Sequence, residues 1–192
     1  MRRAALLLAA ALTMGCAAQT PAVVVGTSAA SASARSRTVS FETHRRDALD
    51  GMERRRAFQG SGPARELAWN APMEWRPRGR PRAGVLLVHG LGDSPWTFRD
   101  IGAALAARGY LVRTVLLPGH GTRPEDLLDV TLEEWRRVVE AQTDALRSEV
   151  GLIVLGGFST GANLIVEQAY RNDDVAGLLL FSPAFRSDSA YA

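Results

Sequence analysis

The chain has 192 residues, 46% of them hydrophobic and 22% charged, with a formal net charge of +3. That is length enough for one domain with a real core, and a single cysteine excludes an internal disulfide. All 23 basic residues are arginine, 14 of them with only 6 acids in the first 82 residues, yet they are scattered through Pro/Gly-rich sequence with no recognisable nucleic-acid module. A solvated linker, or attraction to anionic lipid, fits this distribution better than nucleic-acid binding.

The N-terminus reads Met-Arg-Arg, then an apolar run from Ala4 to Leu12, then Thr13-Met14-Gly15-Cys16. A basic start and a short apolar stretch predict a secretory signal over residues 1–15, too short to span a bilayer as a stable helix. Residues 17–40 are rich in Ala, Ser and Thr with no apolar period, and residues 41–63 carry charge clusters such as Arg54-Arg55-Arg56. Together residues 16–63 read as a disordered, Arg-rich tether, with room for a short helix near its end. His44 reads as a solvated surface histidine.

From residue 64 onward the pattern alternates strand and helix. Residues 66–75 have the makings of one or two edge strands. Gly84-Val85-Leu86-Leu87-Val88 is a continuous apolar run, as in a strand buried on both faces. It ends at His89-Gly90-Leu91-Gly92-Asp93. A helix follows, with Ser94 as its cap, Pro95 at its first position and Gly109 at its end. A strand over residues 110–117 runs into the turn-rich Pro118-Gly119-His120-Gly121. Thr131-Leu132-Glu133-Glu134 is a capping box that opens the next helix. The apolar run 152–155 leads into Gly157-Phe158-Ser159-Thr160-Gly161 and a helical stretch to Tyr170. A last buried strand runs from Val175 to Phe181. This alternation predicts an α/β fold with a mostly parallel sheet and helices on both faces. Ligands of such sheets bind where the strands end, so His89, His120 and Ser159 should share one rim.

A serine hydroxyl becomes a nucleophile when a base takes its proton. The G-x-S-x-G turn between strand and helix exposes that hydroxyl and aims a helix N-terminus at the reacting centre. Gly157 and Gly161 are needed because side chains there would collide with neighbouring elements. The N–H of Thr160, and that of Leu91 after His89-Gly90, are candidate donors to a developing oxyanion. Trp96, Trp135 and Phe158 read as packing or pocket wall. Neither a metal-ligand spacing nor a phosphate-binding glycine loop is present, so no metal and no cofactor is called for.

Val88-His89-Gly90-Leu91-Gly92, Pro118-Gly119-His120-Gly121 and Gly157-Phe158-Ser159-Thr160-Gly161, in that order, resemble the α/β-hydrolase fold over roughly residues 64–186. The likeness is greatest to its carboxylesterase, monoacylglycerol-lipase and S33 serine-aminopeptidase branch. That resemblance implies a serine hydrolase acting on a small acyl or ester substrate through an acyl-enzyme. Ser159 would be the nucleophile, with Leu91 and Thr160 as oxyanion hole and His89, Gly90, Gly157 and Gly161 as motif support. The family order is nucleophile, acid, then histidine. After Ser159 only Asp188 follows a strand on the active side, and no histidine follows at all. The resemblance therefore implies that residues 64–192 are the N-terminal part of such a domain, without its lid, last strands, triad acid and histidine. Turnover by these 192 residues alone is then in doubt. By the same resemblance His89 is structural in the oxyanion loop and His120 shapes the loop after its strand. As a stand-in base His120 lies on the correct rim, but it follows a strand on the far side of the His89 strand from Ser159. A non-catalytic, lipid-anchored module is the alternative. The N-terminus in turn resembles a bacterial lipoprotein signal, with Cys16 as the lipidated residue. This implies an exported protein held in the cell envelope, facing the periplasm or outer membrane. A plain cleaved signal with an incidental cysteine is the other reading.

Overall fold

In the computed structural model, which describes residues 39–185, five strands form one sheet in the order β1-β3-β2-β4-β5. The signal-like residues 1–15, Cys16 and Asp188 lie outside the described residues. The strands are β1 (Glu74–Trp75), β2 (Gly84–Val88), β3 (Leu111–Val115), β4 (Ile153–Phe158) and β5 (Val175–Phe181). β1 runs antiparallel to β3, and every other pairing is parallel. The helices are α1 (Phe41–Arg55), α2 (Pro63–Asn70), α3 (Arg99–Ala107), α4 (Leu132–Arg147) and α5 (Thr160–Arg171).

Alternation along β2 divides the core in two. Leu86 and Val88 join Val139 and Leu146 of α4 and Leu164 and Ile165 of α5 on one face. Val85 and Leu87 join Phe98, Ile101 and Leu105 on the other, where α3 lies. With both faces covered, β2 is buried along its whole length, which is why its sequence is uniformly apolar. The Thr131–Glu134 capping box forms as the sequence predicts. Gly109 ends α3 at φ 96°, a conformation that a side chain would strain.

Three local expectations are corrected. Residues 39–63 are not all tether: α1 and α2 both belong to the fold. Ser40 caps α1 by accepting the Thr43 N–H, and Phe41 and Met52 are buried. Few apolar side chains mark α1, so its composition reads as polar although its ends are anchored. Residues 66–75 contain most of α2 and only a two-residue strand, because Pro63 opens a helix. Ser94 does not cap α3. A 3₁₀ turn over Pro95–Phe98 comes first, and the Ser94 hydroxyl donates to the Trp69 carbonyl at 3.1 Å.

β3 carries a buried charge in the middle of the sheet. Arg113 pairs with Glu74 at 2.7 Å and with Glu149, and its guanidinium lies 5.0 Å from the Phe41 ring. A buried cation is tolerated only when it is paired. Phe41 closes this site from above. Phe41→Ala should therefore destabilise the protein by about 3 kcal/mol or more, measured by urea unfolding. A change near zero would show that α1 is not part of the cooperative domain.

Candidate active site

The register of β2 against β4 places the site. Val88 pairs with Gly157, so Gly90 and Ser159, each two residues further on, stand level. A Cβ on Gly90 would lie 3.2 Å from the Ser159 Cβ and 3.1 Å from the Phe158 ring. Ser159 itself has φ 51° and ψ −117°. Such a conformation costs a non-glycine residue of order 1–3 kcal/mol and persists only where its surroundings enforce it. Three contacts enforce it. The Ser159 N–H donates to the Phe181 carbonyl of β5 at 3.0 Å, and the Ser159 carbonyl accepts from Ala162 at 2.9 Å. The third is close approach: a Cβ on Gly161 would lie 2.1 Å from the Val88 oxygen, and one on Gly157 would lie 2.5 Å from the Ala162 nitrogen. Both glycines are thus required, for the reason the motif predicts.

Thr160 is the first residue of α5. Among the described residues, neither its N–H nor that of Leu91 has a hydrogen-bond partner. An unpaired N–H at a helix start is what an anion binds. Leu91 is 61% exposed and Ser159 half-buried, so the site is open to solvent. Phe158 is 37% exposed, so it walls the site beside Gly90 more than it fills a core. Trp96 also reaches the surface, tilted against Trp69 with ring centroids 6.2 Å apart and with the Arg99 guanidinium over its own ring at 4.9 Å.

The histidines have structural tasks. Nε2 of the fully buried His89 accepts the Leu117 N–H at 3.1 Å, so the ring proton sits on Nδ1 and faces the Gly90 carbonyl at 2.8 Å. In a planar trans peptide the N–H points opposite to the C=O. Holding the Gly90 carbonyl toward His89 therefore turns the Leu91 N–H away from it. His120 contacts the Pro118 carbonyl through Nδ1 at 3.2 Å and accepts the Gly92 N–H through Nε2 at 3.4 Å. Its ring meets His89 edge-on at 4.7 Å, and Trp135 donates to the same Pro118 carbonyl at 3.0 Å. Both His120 nitrogens are engaged, and β3 is separated from β4 by β2, so His120 is not placed to take a proton from Ser159. His44 is not the solvated residue its sequence suggests: its Nε2 accepts the Leu116 N–H at 3.3 Å.

Behind these loops sits a buried ion pair that the sequence reading does not include. Arg56 bonds Glu66 at 3.0 Å and the Gly121 carbonyl at 2.7 Å, while the Glu66 carboxylate also accepts the N–H groups of Gln59 and Ser61. Burial pushes the Glu66 pKa up, but those donors and Arg56 outweigh it and hold the carboxyl below its usual range. The pair ties the end of α1 to the Pro118–Gly121 loop. Arg56 and Glu66 stand ten residues apart, a spacing that marks no pair in the sequence. Of the acids after Ser159, Glu167 pairs with Arg136 and Arg171, and Asp174 pairs with Arg147. Among the described residues no cluster of His, Cys, Asp or Glu could hold a metal ion.

Comparison with known proteins agrees with this geometry. A family model described as the alpha/beta hydrolase family matches residues 85–192. A thermostable monoacylglycerol lipase of Bacillus sp. (strain H-257) is 35% identical over 101 residues, which is 53% of this chain and 40% of that protein. A solved structure of the metagenome-derived lipolytic enzymes LipS and LipT is 30% identical with a TM-score of 0.58, over 62% of this chain and 48% of that one. The monoacylglycerol lipase of Paleococcus ferrophilus gives 25% identity and a TM-score of 0.53, over 62% and 46%. The chain thus spans less than half the length of these relatives.

The three histidines predict acid sensitivity. Burial lowers the pKa of His89 to about 3 and that of His44 to about 4, and it lowers that of His120 as well. The unfolded chain, with histidines near 6.5, binds protons that the folded chain refuses. Stability is therefore complete above about pH 6.5 and falls as the pH drops below it, by up to about 1.4 kcal/mol per pH unit for each histidine. Urea unfolding at pH 7 and pH 5 should show this loss, and His89→Gln should make it shallower. Equal slopes in the two proteins would refute the assignment.

Proposed function

The chain belongs to the alpha/beta hydrolase family, and from that premise we propose that it is a serine hydrolase that cleaves a carboxylic ester or related acyl bond through Ser159. The Ser159 oxygen attacks the acyl carbon, its proton leaves to a base, and the carbonyl oxygen becomes an oxyanion between the N–H groups of Leu91 and Thr160. Collapse expels the alcohol, protonated as it leaves, and water then releases the acid from the acyl-enzyme. One observation carries the reading: the Val88–Gly157 register brings Gly90 within contact of a strained Ser159. The similarity to lipolytic relatives supports small acyl esters as the substrate class.

The base is not among the described residues, since His44, His89 and His120 each hold a backbone N–H. In this reading the acid and histidine of a triad come from outside them. The same engagement of all three histidines favours a second reading, a non-catalytic module on a hydrolase fold. In the folded chain the elbow holds the Ser159 hydroxyl at the rim beside two N–H groups that are unpaired among the described residues. They stabilise the oxygen of a phosphonyl group under attack as they would an acyl oxyanion, an advantage the unfolded chain lacks. A fluorophosphonate probe should therefore modify the folded 192-residue chain on Ser159, faster than the urea-unfolded chain and not at all in Ser159→Ala. Equal labelling of folded and unfolded protein would leave the non-catalytic reading. The proposal also includes export by residues 1–15 and lipidation of Cys16, with the domain held at the cell envelope. Globomycin should then block processing of the precursor, and insensitive processing would remove the lipid anchor.

A further inference from the structure

The pole of the sheet opposite Ser159 has its own chemistry. Residues 76–82, between β1 and β2, read Arg-Pro-Arg-Gly-Arg-Pro-Arg. Arg76 is engaged with Glu74 at 2.6 Å and Glu149 at 3.0 Å. Arg78, Arg80 and Arg82 are exposed, and no carboxylate among the described residues pairs with them. The Arg82 N–H donates to the Gly109 carbonyl at 2.9 Å, and its guanidinium lies 5.8 Å from the Tyr110 ring. That bond pins the loop against the end of α3, where exposed Arg108 adds a further cation. Beside the loop, Arg80 and Arg82 rim an open groove of about 460 Å³ whose wall includes Leu152, 56% exposed, and two groups already engaged, Arg147 with Asp144 and Asp174 and Glu149 with Arg113 and Arg76.

We propose that this pole docks on a bilayer containing anionic phospholipid. The surface is the amphipathic combination such an interface selects. Unpaired guanidiniums meet headgroup phosphates, while their aliphatic stems and Leu152 enter the layer just beneath. Pro77 and Pro81 restrict the loop, so little freedom is lost when it settles. Nucleic acid fits less well. Tyr110, the aromatic ring within this surface, is covered by Arg82 and offers no face for a base to stack on. β4 runs from this pole to Ser159 at about 3.3 Å per residue, so docking holds the site about 20 Å off the membrane and facing away from it. The inference does not depend on Ser159 being a nucleophile.

Co-sedimentation of the full chain with vesicles tests it. One set is phosphatidylcholine alone, the other equal parts phosphatidylcholine and phosphatidylglycerol. The apolar leader is common to every variant, so differences between variants report the pole. Wild type should bind the anionic vesicles about tenfold or more tightly than the neutral ones, and the preference should collapse at about 0.5 M salt. Arg78→Gln/Arg80→Gln/Arg82→Gln should lose the preference with its thermal melt unchanged, and the corresponding lysine triple variant should keep it. Leu152→Asp should weaken vesicle binding at both salt concentrations. The proposal fails if the glutamine variant keeps wild-type preference. It fails also if a single-stranded oligonucleotide binds wild type more tightly than anionic vesicles at the same salt.

Discussion

Everything at the active rim depends on how closely α5 approaches the end of β2. A Cβ at Gly161 would lie almost within bonding distance of the Val88 oxygen. With hydrogen there, the helix starts directly against the neighbouring strand, and the turn before it has no room to relax. The strain at Ser159 is the result: its backbone is forced by packing on three sides. A looser junction would let Ser159 return to an ordinary conformation and withdraw its hydroxyl from the rim. A glycine-for-side-chain exchange at one position thereby sets the geometry of a site assembled from three elements.

The second organising device is the use of imidazole as a hydrogen-bond acceptor for the backbone. His44, His89 and His120 each receive an N–H from a loop that no strand partner satisfies. The loops after β2 and β3 are thus held by side chains where the sheet stops supplying hydrogen bonds. His89 has the most direct influence, because the carbonyl it holds belongs to the same peptide as the Leu91 N–H. Trp135 and the Arg56–Glu66 pair brace the second loop from α4 and α1. Rigid support of this kind is what the proposed oxyanion role of the Leu91 and Thr160 N–H groups requires.

How legible this was in the sequence varies by element. β2 and β4 are marked by apolar runs because both their faces are covered, β5 by an apolar run although all its residues but Gly177 are only half-buried at the sheet edge, and the three glycine-bearing motifs fall where β2, β3 and β4 end. The rim could therefore be assembled from spacing alone. α1 could not, because its attachment rests on Phe41 and Met52 and on polar contacts such as Arg45 with the Pro72 carbonyl. Its apolar stripe, Ala48, Leu49 and Met52 with Phe41 two turns before, is short and flanked by charged residues, so the segment reads as polar. Arg113 is similarly hidden, since its partners Glu74 and Glu149 lie far from it in the chain. His44 was obscured for the same reason, since the Leu116 N–H that it accepts lies 72 residues away in the chain. A residue type suited to proton transfer says nothing of whether both of its nitrogens are already occupied.

The bond from the Ser159 N–H to the Phe181 carbonyl has a consequence in time. During synthesis the elbow leaves the ribosome before β5 does. Until β5 has emerged and added to the sheet, the strained turn lacks one of its three restraints. Ser159 then acquires its full set of restraints only after a later strand has been laid beside it. The candidate nucleophile is among the last features of this rim to be set, although its motif is among the first to be recognised.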